Sequence, residues 1–319
     1  MRILAIDGGG IRGLIPAVVL ADLERRTGRR TAELFDLIAG TSTGGILACG
    51  LARPAPGGGA GPAFSATDLI GLYEREGRNI FHRSLLKRIT SVEGALDELY
   101  DDRGLRAALR SYLDGASLSQ TVTELFVPAY DIERRKAFFF RSTRARTDRA
   151  QDFRLADVAR ATSAAPTYFE PVRVRDAAGA SSYALIDGGV FALNPAMSAY
   201  ADLAAAGRED DIQVLVSLGT GSHTRPFALD KARGWGRLEW ARPLIDVVAD
   251  GLGETVDFEL ARVLPDGRYV RLQIDLAEAS DDLDDAGDAN LRALRREADR
   301  LVQARAADLE RLAAALTRG

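Results

Sequence analysis

Three short stretches of the sequence combine residue types and spacings that could perform acyl-transfer chemistry. The first, Gly40-Thr41-Ser42-Thr43-Gly44, fits the pattern G-x-S-x-G and lies between two apolar runs. This context predicts that Ser42 sits at a sharp strand-to-helix turn, where only small neighbours such as Gly40 and Gly44 leave room for the backbone. The start of the following helix favours developing negative charge. Ser42 is therefore the candidate nucleophile.

A serine hydroxyl needs a base to become a nucleophile, and histidine is the usual choice. The chain has only two histidines, His82 and His223. His82 lies in a polar stretch, which favours a surface position. His223 follows a predicted strand, and the chain order Ser42, Asp187, His223 matches an α/β-hydrolase triad. That fold normally places its nucleophile after more strands than precede Ser42 here, so this triad stays one alternative.

The second stretch is Asp187-Gly188-Gly189, directly after the apolar run Tyr183–Ile186. A carboxylate at a strand end, beside glycines, lies where the backbone can approach a substrate closely. An Asx turn that merely closes the strand explains the same residues. The local pattern alone does not separate these two interpretations.

The third stretch is Gly8-Gly9-Gly10-Ile11-Arg12-Gly13, between a predicted strand and a predicted helix. Consecutive backbone amides in such a loop form a concavity that binds anions. Gly8, Gly9, Gly10 and Arg12 are therefore the candidate oxyanion site. The same glycines also fit the dinucleotide-binding pattern G-x-G-x-x-G, with Asp36 at about the spacing expected of its acidic partner.

The elements around these stretches alternate between strand and helix. Strands are predicted at Ile3–Ile6 and Leu34–Ala39, with helices at Leu14–Arg26 and Ile46–Leu51. This alternation predicts an α/β fold with a parallel sheet covered by helices. Residues 66–113 are mostly helical in pattern. Further strands are predicted at Leu125–Tyr130, Ala137–Arg141, Tyr183–Ile186, Ile212–Leu218 and Tyr269–Ile274.

Composition excludes some classes of protein. The 319 residues carry a net charge of −4, which argues against a protein that binds nucleic-acid polymers. No run approaches the roughly 20 apolar residues that span a bilayer, and the charged amino terminus does not resemble a signal peptide. A soluble, cytoplasmic protein is expected. No His/Cys cluster has metal-ligand spacing, so neither a metal nor another cofactor is expected.

Together the three stretches resemble the patatin-like phospholipase family. Further similar motifs are Ala161–Pro171, Asn194-Pro195 and Ser217–Gly221, and the resemblance covers about residues 1–275. It implies a three-layer fold with a mostly parallel central sheet and helices on both faces. It also implies a lipid acyl hydrolase with a Ser42–Asp187 dyad, no histidine and an acyl-enzyme. The amides of Gly9 and Gly10, aided by Arg12, would hold the oxyanion.

The resemblance implies a membrane phospholipid as substrate, reached by transient contact with the inner face of the membrane. The segment 80–89 mixes apolar and basic residues, which fits either an interfacial helix or an ordinary packed helix. A nonspecific carboxylesterase and a nucleotide-sensing module with a vestigial site are the alternatives.

Bacterial members of the family include antiphage effectors that cyclic nucleotides switch on, so such an activator is an open expectation. Several arginines could bind its phosphates or form a solvated face: Arg134, Arg135, Arg141, Arg144, Arg146 and Arg149.

Two domains are predicted, a catalytic domain at 1–275 and a carboxyl-terminal segment at 276–319. The latter combines an acidic stretch, Ser280–Asp288, with a helix whose leucines lie mostly on one face. This helix is expected to pack on the catalytic domain or on a partner, which leaves a homo-oligomer open.

Overall fold

The computed structural model describes residues 1–59, 61–80, 101–222, 226–264 and 267–318. Within these ranges, eight strands form one sheet with helices on both faces. The strands are β1 (Arg2–Ile6), β2 (Leu37–Gly40), β3 (Glu124–Asp131), β4 (Lys136–Arg141), β5 (Val172–Arg175), β6 (Ser182–Asp187), β7 (Val214–Leu218) and β8 (Tyr269–Leu272).

The helices of eight or more residues in the described ranges are α1 (Leu14–Thr27), α2 (Thr43–Ala52), α3 (Ala66–Ile80), α4 (Arg103–Leu113), α5 (Leu155–Thr162), α6 (Ala196–Ala204), α7 (Arg237–Val263), α8 (Asp288–Ala304) and α9 (Ala306–Thr317). Shorter α-helical turns lie at Thr31–Leu34, Ser142–Ala145, Gly189–Ala192 and Leu229–Ala232. The 3-10 turns are Gly10–Gly13, Pro56–Gly58, Leu118–Gln120, Arg149–Gln151 and Glu209–Asp211.

The strand order is β5-β6-β3-β2-β1-β7-β8, with β4 also paired to β3. The strands from β3 to β8 in this order pair in parallel, whereas β4 and β6 pair antiparallel with β3, and β5 pairs antiparallel with β6. The predicted α/β fold with a mostly parallel sheet is confirmed. Its antiparallel side was not foreseen.

Alternate residues of the central strand β1 enter two separate apolar cores. Leu4 and Ile6 belong to the larger core, while Ile3 and Ala5 belong to the smaller one. The larger core includes side chains from α1 to α5, and the smaller one includes side chains from α6 and the end of α7. A strand that is buried on both faces reads as a continuous apolar run, as Ile3–Ile6 does.

Strands β2 and β6 meet along one edge of β3. β4 pairs with Phe126–Asp131 of β3, so it occupies one edge over that whole length. β2 pairs with 124–126 and β6 with 129–131, so both must use the other edge. β2 runs parallel to β3 and β6 antiparallel, so their carboxyl ends approach each other. The residues that follow β2 and those that end β6 are brought together there.

The carboxyl-terminal segment packs on the same core. Helices α8 and α9 lie against α1, and Leu294, Leu301 and Leu316 are buried in the larger core. The single leucine-faced helix expected from the sequence is two helices that join at Arg305. Before them, the carbonyl of Leu283 accepts a hydrogen bond from the amide of Ile11 at 2.9 Å.

Candidate active site

Ser42 occupies the turn between β2 and α2 in a backbone conformation that non-glycine residues rarely adopt. Its φ is 54° and its ψ is −123°. Such strained conformations cost on the order of 1–3 kcal/mol and cluster at functional sites. The turn is held on both sides, because the Thr41 amide donates to the Ile6 carbonyl and the Thr41 hydroxyl donates to the Ala192 carbonyl.

The glycines that flank Ser42 permit backbone contacts that any side chain would block. A Cβ on Gly40 would lie 2.2 Å from the carbonyl oxygen of Gly44, and one on Gly44 would lie 2.2 Å from that of Ile6. Both obstacles are backbone atoms, which cannot rotate away. The two fixed glycines of the G-x-S-x-G pattern therefore let α2 begin directly against β1 and β2.

Thr162, the last residue of α5, anchors the turn from the other side. Its hydroxyl accepts a hydrogen bond from the Ser42 amide at 3.0 Å and donates one to the Pro128 carbonyl at 2.6 Å. Thr162 is fully buried. Sequence reasoning gave it no role, although it lies within the motif Ala161–Pro171. No local signal singled it out, because the same motif contains Ser163, Thr167 and Glu170.

Asp187 ends β6 and lies beside Ser42. Its side chain is buried, and its carboxyl group accepts a hydrogen bond from the Gly189 amide at 2.7 Å. Burial raises the pKa of Asp187 to about 7, and interactions with the Ser42 side chain and the Gly189 amide only partly oppose this. Gly188 allows the chain to turn here, since a Cβ on it would lie 2.5 Å from the Pro128 carbonyl oxygen.

The glycine loop after β1 lies across the site, but its amides are not equivalent. The Gly8 amide donates to the Leu193 carbonyl at 3.0 Å, so Gly8 does not belong among the predicted oxyanion donors. Within the part of the chain that the structure describes, no hydrogen bond uses the amides of Gly9 or Gly10. Arg12 is buried, and its Nε donates to the Gly9 carbonyl at 3.4 Å, which ties the loop.

A buried ion pair supports this loop from below. Asp7 precedes the glycines, and its carboxylate accepts a hydrogen bond from Arg271 of β8 at 2.6 Å. Arg271 also donates to the Ser217 hydroxyl at 2.8 Å. The loop is therefore linked through side chains to β7 and β8, across the parallel side of the sheet. Neither Asp7 nor Arg271 was assigned a role from the sequence.

A cavity of about 340 Å3 opens over these groups. Its floor includes Ser42 and Asp187, and its other lining residues are Gly8, Gly9, Arg12, Ala165, Pro166, Tyr168, Gly189, Val190, Leu193, Leu244, Val248, Ala249, Asp250 and Leu283. A smaller cavity of about 60 Å3 also reaches Ser42 and shares Tyr168 and Leu283 with the larger one. Mostly apolar walls around a few polar groups are typical of sites for apolar ligands.

The structure brings together Ser42, Asp187, Gly9, Gly10 and Arg12, but it does not support the dinucleotide alternative. Asp36 precedes β2 and pairs with Arg2 at 3.0 Å, so it lies at the opposite end of the strand from the glycine loop. A dinucleotide site needs its acidic residue at the carboxyl end of that strand. This alternative is therefore wrong.

Two histidine predictions and one membrane prediction fall outside the described residues. His82 and His223 lie there, as does the segment 80–89 apart from Ile80, which is buried. Among the residues that are described, no group of three or more His, Cys, Asp or Glu side chains could hold a metal ion. No described helix has the length and apolar character needed to cross a bilayer.

Most of the arginines considered for phosphate binding have protein partners. Arg134 pairs with Asp131 at 2.6 Å and Arg141 with Asp202 at 2.7 Å. Arg146 donates to the Thr121 carbonyl at 2.9 Å. These contacts favour a structural role for the three arginines over a phosphate site.

The chain is similar in sequence to known proteins over much of its length. Residues 4–200 match the family model of the patatin-like phospholipases. The chain is 35% identical to patatin-like protein 2 of Arabidopsis thaliana, over 95% of this chain and 83% of that protein. It is 32% identical to patatin-like protein 1 of Oryza sativa subsp. indica, over 86% and 74%. The crystal structure of VipD from Legionella pneumophila overlaps 95% of this chain and 66% of that one, with a TM-score of 0.38 and 13% identity.

Proposed function

We propose that this chain, which belongs to the patatin-like phospholipase family, cleaves fatty-acyl esters of membrane glycerophospholipids. Membership of the family makes it a lipid acyl hydrolase. In the proposed mechanism, Ser42 is the nucleophile and Asp187 is the base. One observation carries the mechanism. Ser42 shares its cavity with the buried carboxyl group of Asp187, and burial raises the pKa of that carboxyl group to about 7. A general base works best when its pKa lies near the working pH, and an ordinary aspartate, with a pKa near 4, would be a much weaker base.

In the first half-reaction, Ser42 Oγ attacks the ester carbonyl carbon while its proton passes to Asp187. The carbonyl oxygen becomes an oxyanion, which the amides of Gly9 and Gly10 stabilise together with the charge of Arg12. One such donor is typically worth about 3–4 kcal/mol of the barrier. The intermediate then collapses, and the alcohol part of the lipid leaves with the proton from Asp187. The acyl group remains bound to Ser42.

In the second half-reaction, water attacks the acyl-enzyme and gives its proton to Asp187. Collapse of this second intermediate releases the fatty acid and returns the proton to Ser42. The two halves use the same groups in reverse order, so no histidine and no metal ion is required. The mostly apolar walls of the large cavity fit an acyl chain beside Ser42.

The test is fatty-acid release from mixed phospholipid vesicles. Ser42→Ala should lower the rate by at least about 10³-fold, as expected when a nucleophile is removed. Ser111→Ala is the matched control, because the Ser111 hydroxyl lies on α4 and donates to the carbonyl of Ala108. Equal release by wild type and Ser42→Ala would refute the mechanism. Cleavage of soluble esters but not of vesicles would favour a nonspecific carboxylesterase instead.

A further inference from the structure

Most of the exposed large apolar side chains in the described ranges lie in one part of the chain, and three exposed apolar residues line the large cavity. Eleven large apolar residues of the described ranges are clearly exposed, and eight of them fall between Phe227 and Val263. A ninth, Val190, follows Asp187 closely in the chain and lines the cavity. Scattered exposed apolar residues are normal, whereas a cluster of them marks an interaction surface.

We name as the apolar rim the exposed residues of this cluster that precede residue 250, together with Val190: Val190, Phe227, Leu229, Trp240, Leu244, Val247 and Val248. Trp240, Leu244, Val247 and Val248 recur along α7 at spacings of three and four residues, so they form one stripe. A surface helix normally presents polar residues to water, and α7 does the opposite along this stripe. Leu244 is 51% exposed and Val248 is 45% exposed.

The rim is continuous with the catalytic cavity. Leu244, Val248 and Val190 are exposed to solvent and also line the cavity that contains Ser42 and Asp187. An acyl chain that passed over these residues would move from an apolar surface into an apolar cavity without crossing water. This continuity identifies the occupant, since a lipid surface is the partner that has to deliver an acyl chain to this opening.

Aromatic side chains extend the rim on one side. The rings of Phe227 and Trp235 lie 5.7 Å apart, and those of Trp235 and Trp240 lie 5.0 Å apart, both edge to face. Tryptophan is enriched at the boundary between lipid and water, where its ring is partly apolar and its N–H stays near polar groups. Lys231 and Arg233, close in sequence to Trp235, are exposed, and Arg233 pairs with Asp230 at 3.7 Å.

From these observations we propose that the apolar rim is the surface by which the protein docks on a phospholipid bilayer, with α7 lying in the plane of the interface. The inference rests on the proposed function, because it assumes that the cavity receives an acyl chain. It assigns membrane contact to Val190 and to exposed residues between 227 and 248; the segment 80–89 lies outside the described residues apart from Ile80. Insertion of a few apolar side chains into the headgroup region gives reversible binding.

The experiment measures flotation with phosphatidylcholine vesicles, in a Ser42→Ala background so that the lipid stays intact. The rim variant is Leu229→Glu/Val247→Glu, because both residues are exposed and neither lines the cavity. The control is Val122→Glu/Ile132→Glu, which makes the same charge change at apolar residues that are 38% and 39% exposed outside the rim. Zwitterionic vesicles remove simple charge repulsion as an explanation.

We expect the rim variant to lose at least about tenfold in vesicle affinity, since two apolar side chains no longer enter the lipid, while the control binds like its parent. With Ser42 intact, both variants should hydrolyse a soluble butyrate ester at the parental rate. Vesicle binding by the rim variant equal to that of the control would overturn the proposal. A second outcome would also overturn it. If size-exclusion chromatography showed a dimer for the parent and the control but a monomer for the rim variant, and vesicle binding were unchanged, the rim would be a contact with a second copy of the chain.

The two proposals fail in different ways. If the rim variant binds vesicles more weakly than the control but no hydrolysis depends on Ser42, the docking surface is supported and the proposed function is refuted. If vesicle hydrolysis depends on Ser42 but the rim variant is as active as its parent, the proposed function is supported and the docking surface is refuted.

Discussion

Ser42 lines the same cavity as Leu244 and Val248 of the α7 stripe, yet the two regions are built in opposite ways. Around Ser42 the contacts are between backbone atoms, and a single methyl group on Gly44 would lie 2.2 Å from a carbonyl oxygen. Along α7, a methyl group on Gly251 would meet nothing within 4 Å. The backbone around Ser42 is therefore fixed in position, whereas the stripe on α7 contributes the shape and the apolar surface of the cavity wall. The chemistry is thus held by the backbone of the sheet, and access is governed by side chains that can change without disturbing it.

The strongest test of the rigid region is Asp187→Asn. Asparagine keeps the shape of the side chain but cannot accept the Ser42 proton, so ester hydrolysis should fall on the order of 10³–10⁴-fold. The rate should fall equally for soluble and vesicular esters, which separates this variant from those at the rim. Rates above one tenth of wild type on either substrate would show that Asp187 is not the base.

The pH dependence of hydrolysis should report the same carboxyl group. With the pKa of Asp187 raised to about 7, the base is protonated in acid, and kcat/KM should fall about tenfold for each pH unit below that value. A soluble ester avoids effects of pH on lipid surfaces. A rate that stays flat from pH 8 down to pH 5 would contradict the assignment.

Burial of Asp187 should also appear in protein stability. Between its ordinary pKa near 4 and the folded value near 7, the folded protein holds a proton that the unfolded chain has released. The free energy of unfolding should therefore fall as pH rises through this window, by up to about 4 kcal/mol. Asp187→Asn should flatten the profile in urea titrations. An unchanged slope in the variant would assign the dependence to other groups.

Paired glycine substitutions test the contrast directly. Gly44→Ala forces α2 away from the Ile6 carbonyl, and we expect a loss of about 1–3 kcal/mol in unfolding free energy together with most activity. Gly251→Ala has open space in a helix and should gain about 0.5–1 kcal/mol with activity retained. Both are read by thermal unfolding and soluble-ester hydrolysis. If the two substitutions changed stability and activity by similar amounts, the two regions would not differ in rigidity as described.

A smaller loss of activity is expected for Thr162→Val, which keeps the side-chain shape but removes the hydroxyl between Ser42 and Pro128. The unsatisfied Ser42 amide and Pro128 carbonyl should cost about 1–3 kcal/mol of stability. We expect kcat to fall about tenfold while KM stays constant, since the cavity is unchanged. Thr162→Ser should restore both values. A purely structural role would lower stability without moving kcat.

The sequence was sufficient to predict the parts of the site that follow from local patterns. Gly40, Ser42 and Gly44 identify the turn because its geometry excludes larger residues. The pattern at Asp187 predicted the strand end, but only the family resemblance suggested a role for its carboxyl group. Six of the strands were placed to within two residues at each end. β2 begins three residues later than expected, because Thr31–Leu34 forms a helical turn before it.

Features that depend on distant pairing were not predictable. β5 is a four-residue strand with alternating burial, too short to stand out. The antiparallel approach of β6 to β3, which brings Asp187 to Ser42, depends on a register that local residues do not encode. α7 was missed because its apolar stripe faces outward. Gly8 was predicted as an oxyanion donor, but its amide donates to the carbonyl of Leu193, which is far away in the sequence.

The meeting of β2 and β6 on one edge of β3 also sets the order in which the site is completed during synthesis. Ser42 leaves the ribosome first, Asp187 later, and Leu283, which holds the loop at Ile11, later still. At typical rates of elongation the interval from Ser42 to Leu283 is roughly ten to fifty seconds. The nascent chain therefore carries the proposed nucleophile before its proposed base and before the contact that holds the glycine loop, so the complete site forms only after Leu283 has been synthesised.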